Sequence, residues 1–141
     1  MPALDLPMIK YLLDTHAFLW HASPDPKSLK RLSATALRII DGAEPGALAI
    51  SDATIIEIGY LLHGGKLDYG NRRAEDVLAP AFAKVARIPI SLNAAIRSHA
   101  LPLPHGDPHD RLIVATALEL GVPLITKDGN ITDSGIVPVI W

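Results

Sequence analysis

The chain has 141 residues, of which 49% are hydrophobic and 20% charged, with a formal net charge of −2. These proportions describe one globular domain spanning 1–141 rather than a disordered chain. The absence of cysteine excludes disulfides, thiolate metal sites and cysteine nucleophiles, and no apolar run approaches the roughly 20 residues of a membrane-spanning helix. The opening "MPALDLPMIKYLLD" shows no basic patch, apolar stretch and small-residue cleavage site in succession, so a cytoplasmic protein is expected. The slight negative charge is not the basic footprint usual for a nucleic-acid binder. An acidic site filled by divalent cations, however, presents a different charge from the one counted on paper.

Taken in chain order, "IKYLLD" (9–14) reads as a short buried strand ending in Asp14. "SATALRIIDGAEPG" (33–46) is helical, with Ser33 as N-cap and Gly42 near its end, and "ALAIS" (47–51) is a second strand. "SDATIIEIGYLLHGG" (51–65) predicts a helix capped by Ser51 or Asp52 and stopped at Gly64–Gly65. "RRAEDVLAPAFAKVAR" (72–87) predicts another, which Pro80 should kink or divide. "IPIS" (88–91) is a third strand, "DPHDRLIVATALELG" (107–121) a helix ending at Gly121, and "PLITKD" (123–128) and "VPVIW" (137–141) the last two strands. Strands alternating with helices predict an α/β chain, a three-layer α/β/α sandwich around a mostly parallel sheet. In such sheets ligands bind beyond the carboxyl ends of the strands.

Polar residues at those ends are therefore the candidates. Asp107 before Pro108 has the form of an N-cap followed by a first helical position. Asp110 suits the first turn too, but it heads a stripe of Ile113, Val114 and Ala117 that should face the core, while Arg111 and Glu119 lie on a more polar side. Glu57 is equally out of place, since its helical neighbours Ala53, Thr54, Tyr60 and Leu61 include no cation. Asp14 and Asp128 each follow a strand, where a turn or a helix cap is the ordinary use of aspartate. In the expected sheet, Asp14 and Asp128 occupy strand ends, and Asp110 and Glu57 belong to first turns of helices, so all four converge on one rim.

Four anions in a small site repel one another unless a cation neutralises them. An all-oxygen set suits Mg²⁺ or Mn²⁺ rather than zinc, and such ions commonly serve phosphoryl chemistry, orienting water for in-line attack and stabilising the leaving oxygen. Thr15 and Thr126 are placed to orient neighbouring carboxylates with their hydroxyls. His16, His105 and His109 have no zinc-pair spacing and are expected in peripheral hydrogen bonds. No nucleophile-elbow sequence and no glycine-rich phosphate loop is present.

With these residues in place, the chain resembles the PIN-domain proteins, and among them the toxin ribonucleases of VapC type. "YLLDTHAFLW" is similar to that family's first strand with its leading Asp. "AISDATIIEIGYLLHGGKL" is similar to the segment carrying its Glu, and "LPLPHGDPHDRLIVATALELGVPLITKDGNI" to its DP-x-DR helix and T-x-D strand end; "VPVIW" is similar to its usual end. The resemblance implies an α/β/α fold and an Mg²⁺- or Mn²⁺-dependent ribonuclease leaving 5′-phosphate and 3′-hydroxyl ends. It further implies a homodimer and inhibition by a cognate antitoxin. Its acidic site carries over to Asp14, Glu57, Asp110 and Asp128, with Asp107 an additional candidate metal ligand. Gly106 stands where an Arg is frequent and Ile56 where a Trp often precedes the Glu, departures that bear on RNA contacts and local packing. RNA would be met by exposed cations such as Lys66, Arg72, Arg73 or Lys127, among which the sequence does not choose.

Three other readings compete. A receiver-type module needs a phosphoacceptor Asp after its third strand, which "IPISLN" does not supply, although Lys127 would suit it. An HD-type phosphohydrolase, suggested by His109–Asp110, is an all-helical fold. A catalytically inactive PIN-like module that only pairs with a protein partner would not need its carboxylates intact.

Overall fold

A computed structural model of the chain describes residues 8–104 and 106–141. The opening of the segment read for a secretory signal, and the expected role of His105, lie outside the described residues. Five strands form the sheet: β1 (Tyr11–Leu13), β2 (Leu48–Ser51), β3 (Ala86–Ile88), β4 (Leu124–Ile125) and β5 (Val139–Ile140). Their order is β3-β2-β1-β4-β5 and every neighbouring pair is parallel. An all-parallel sheet is incompatible with the all-helical HD reading. The chain winds outward from β1 through β2 to β3, then returns to place β4 on the other side of β1. The crevice where a ligand is expected therefore lies between the carboxyl ends of β1 and β4.

The helices are α1 (Thr15–Ala22), α2 (Pro26–Leu29), α3 (Ala34–Gly42), α4 (Asp52–His63), α5 (Ala74–Ala83), α6 (Leu92–Ser98), α7 (Pro108–Leu120) and α8 (Gly129–Ser134). Four of them, α3, α4, α5 and α7, are those the periodicity predicts. Pro80 does not divide α5, which passes through it as one element. The third strand is displaced two residues toward the N-terminus of its expected place. Pro89 has no N–H for the ladder, and Ser91 is spent as the N-cap of α6, its Oγ accepting from the Ala94 N–H at 3.0 Å. At the end of α7, Gly121 takes φ +68°, a left-handed C-cap that glycine adopts without a Cβ penalty.

Alternating side chains of the strands feed two cores. Leu12, Ala49 and Leu124 face one side, packing with Ala94 of α6, with Ile113, Val114 and Ala117 of α7, and with Ile131 of α8. Leu13, Ile50 and Ile125 face the other, with Phe18 of α1, Ile40 of α3 and Leu78 of α5. The period-two alternation gives each face its own helical layer, which is the three-layer sandwich. Leu12 and Leu124 are wholly buried at the sheet centre, where truncation to alanine costs roughly 2–5 kcal/mol. Among the described residues no helix is long and apolar enough to cross a membrane.

Candidate metal centre at the carboxyl ends of the strands

Asp14 leaves the end of β1 and caps α1: its Oδ1 accepts the Ala17 N–H at 2.7 Å. Its Oδ2 accepts the hydroxyl proton of Thr126, which follows β4 across the switch point and is fully buried. The same Thr126 Oγ1 accepts from the Asp128 N–H at 3.1 Å, and Asp128 Oδ1 in turn caps α8 through the Ile131 N–H at 3.1 Å. One buried hydroxyl thus ties together the two strand-end aspartates. Thr15 behaves differently from expectation. Its hydroxyl donates to Thr54 Oγ1 at 3.1 Å, joining α1 to α4 rather than orienting a carboxylate.

Glu57 lies on the sixth residue of α4, in its second turn rather than the first, because Ser51 caps that helix and Asp52 begins it. Its Oε2 is buried without a hydrogen-bond partner among the described residues. Asp110 occupies the first turn of α7, which Asp107 caps through the His109 N–H at 2.9 Å. Asp107 itself is exposed and 3.6 Å from His109 Nδ1. Arg111, beside Asp110, turns away and donates to the carbonyls of Ser98, Leu101 and Leu103 at 3.2, 2.8 and 2.9 Å. It pins the loop entering α7 and so fixes where Asp110 sits. Sequence reading gave Arg111 only a place on the polar face, because three carbonyl acceptors leave no residue-type signal.

Electrostatic coupling links these carboxyls. The Asp110 carboxyl is pushed up to about 7, first by burial and then by the like charges of Asp107, Asp128, Glu57 and Asp14. Asp14 is also raised, by burial above all and by Glu57, against the lowering effects of the Thr126 and Ala17 hydrogen bonds and of His16. Among the described residues no lysine or arginine forms an ion pair with Asp14, Glu57 or Asp110. A buried, unpartnered carboxylate oxygen costs free energy unless something binds it. The donor set is all oxygen, which fits a hard divalent cation. Among the described residues no three acidic or histidine side chains close into a ready ligand cage. Mg²⁺ does not require one, since it keeps several waters and takes one or two carboxylates.

The outlying candidates separate. His16 is exposed on α1, with its ring 5.7 Å from that of Trp20. Arg73 Nε is held by Glu75 at 3.1 Å. Ile56 is 55% exposed, so the residue standing in place of Trp leaves no packing gap inside the chain. A Cβ at Gly106 would meet nothing within 4 Å.

A family model described as PIN domain matches residues 11–135. The chain is 35% identical over 127 residues to Ribonuclease VapC22 of Mycobacterium tuberculosis, covering 86% of this chain and 88% of that protein. In fold it is similar to DNA-bound VapBC from Salmonella typhimurium, with a TM-score of 0.68 at 18% identity over 94% of this chain and 98% of that one. A toxin–antitoxin complex from Klebsiella pneumoniae superposes with a TM-score of 0.65 at 24% identity, covering 94% and 97%.

Proposed function

The chain belongs to the PIN-domain family, to its VapC type, and on that premise we propose that it is an Mg²⁺- or Mn²⁺-dependent ribonuclease toxin restrained by a protein antitoxin. One observation supports the reading: Asp110, distant in sequence from Asp14 and Glu57, feels the charge of both, and among the described residues none of the three has a lysine or arginine partner. Those three, with Asp128 completing the set, would hold the cation, one or two of them directly and the others through its waters, while Asp107 mainly starts α7. When bound, the cation supplies Lewis acidity, acidifying water and offsetting charge that builds on a phosphodiester. Thr126 keeps the Asp14 carboxylate turned toward the site. Asp110, poised near neutrality, gives up its proton as positive charge arrives. Hydrolysis adds water across the P–O3′ bond and leaves 5′-phosphate and 3′-hydroxyl ends, with no side chain covalently engaged.

The antitoxin reading draws on relatives solved as complexes. An acidic rim accepts an arginine-bearing segment that competes with the cation. A homodimer is supported by Leu92 and Ile96, one turn apart on α6 and 78% and 65% exposed, an apolar stripe that a second copy covers. An RNA substrate places the activity in the cytoplasm.

The test is cleavage of cellular RNA by purified chain, with the new ends sequenced. Asp14→Asn, folded by circular dichroism, is expected to lose at least about a hundredfold in rate. Undiminished metal-dependent cleavage by that variant overturns the site. A wild type that binds its antitoxin but cleaves no RNA makes the chain the inactive pairing module instead.

A further inference from the structure

Beside the acidic rim, an open cleft of about 960 Å³ is lined by residues of α1, α2, α4 and the segment after α4. Four cations line it, Lys27, Arg31, Lys66 and Arg72, against two carboxylates. Those carboxylates serve local turns: Asp25 Oδ1 accepts from the Lys27 N–H at 3.0 Å and Asp68 Oδ1 from the Gly70 N–H at 2.9 Å. None of the four cations forms an ion pair among the described residues. Two other exposed arginines are matched, Arg73 by Glu75 and Arg87 by Asp52 at 2.6 Å. A pocket of unmatched positive charge on a chain of net charge −2 is built for an anion.

The aromatic content narrows the anion to a nucleic-acid strand. Tyr60, 73% exposed, lines the cleft and sits three residues after Glu57 on α4, hence on the same side of that helix. The Arg31 guanidinium lies over the Trp20 ring at 5.7 Å, a pre-arranged cation that loses little freedom on meeting a phosphate. His16, two residues after Asp14 at the start of α1, lines the same cleft, which brings the cleft to the end of α1 that Asp14 caps. A cluster of carboxylates repels a polyanion, and a neighbouring cationic track offsets that repulsion.

We propose that this cleft is the track for the RNA strand flanking the cleaved phosphate, with Arg31, Lys66 and Arg72 neutralising backbone phosphates and the Tyr60 ring stacking a base. The inference takes its substrate class from the ribonuclease reading. Stacking on tyrosine tolerates any base, so the cleft contributes grip more than sequence choice.

Binding of a fluorescein-labelled single-stranded RNA of mixed sequence, followed by anisotropy in EDTA across a salt series, tests the proposal without turnover. Tyr60→Ala weakens binding about tenfold, and Tyr60→Phe preserves it because the ring remains. Replacing Lys66 and Arg72 together by alanine makes the plot of log affinity against log salt shallower by about 1.4. Lys84→Ala, at the opposite end of the sheet, changes neither. During turnover Tyr60→Ala raises KM with kcat little altered. Wild-type RNA affinity in both Tyr60→Ala and the double variant overturns the proposal. So does loss of antitoxin binding in those variants with RNA binding intact, which would make the cleft a protein seat. The ribonuclease reading fails on different evidence, namely cleavage persisting in Asp14→Asn, which leaves the EDTA result to decide the cleft alone.

Discussion

The two ends of the sheet solve the problem of polar groups in opposite ways. At the amino ends, His21 Nε2 and Asp41 Oδ1 meet at 2.7 Å beside a cavity of about 460 Å³ walled by the loop before β2 and the end of α5. These two side chains satisfy each other within the chain. At the carboxyl ends, Asp14 and Asp110 are pushed toward their neutral forms by burial and then by neighbouring carboxylates, and Glu57 Oε2 has no hydrogen-bond partner among the described residues. Among the described residues no lysine or arginine pairs with Asp14, Glu57 or Asp110, which fits a rim that takes its counter-charge from outside the chain. On the proposed reading, a bound cation would restore the stability given up at the carboxyl ends.

Perturbing the carboxyl ends should have the larger consequences. Thr126→Val keeps the shape but removes the hydroxyl that Asp14 and Asp128 share; it is expected to lower metal affinity or cleavage about 10- to 100-fold. Manganese titration and initial rates check this, and wild-type values in a folded variant would show that Asp14 needs no such support. Next comes pH. The folded Asp110 carboxyl holds its proton to about 7, above its ordinary value of 3.8. Between those values the folded state binds more protons than the unfolded one, so the metal-free chain loses stability as pH rises through that window. Asp14, also raised, acts with the same sign. Melting curves in EDTA should fall in Tm from about pH 5 to pH 8, and Mn²⁺ should raise Tm more at the higher pH. A flat profile would mean that neither burial nor neighbouring charge raises these carboxyls in the folded chain. The smallest effect belongs to the amino ends. His21→Asn breaks a pair whose Asp41 side chain is 61% exposed, so stability should move by no more than about 1 kcal/mol, with cleavage unchanged.

The same contrast explains what the sequence could and could not reveal. The strands are legible because each is a brief apolar run between polar punctuation, and α4 and α7 because they are long enough for periodicity to show. The helices α1, α2, α6 and α8 escape that test. Three of them have seven residues or fewer, and α1 follows Asp14 as the almost uniformly apolar "THAFLWHA", which has no polar face. Their caps, Asp14, Asp25, Ser91 and Asp128, were the available signal. Asp14 and Asp128 prove to be caps and rim carboxylates together, so the two uses of aspartate are not alternatives. Glu57 stood out through its apolar neighbours, a signal about what is missing around it. The Thr126 bridge and the Arg111 anchor depend on contacts across 112 residues or on bare carbonyls, which no local pattern encodes.

Shared binding of a single divalent ion by Asp14 at the end of β1 and Asp110 of α7 is the claim on which the rest stands. Isothermal titration of Mn²⁺ into the metal-free chain and into an Asp14→Asn, Asp110→Asn double variant tests it directly. The wild type should bind Mn²⁺, releasing protons near neutral pH, and the double variant should show no measurable heat of binding. Equal binding by both proteins would place the cation elsewhere and contradict the account.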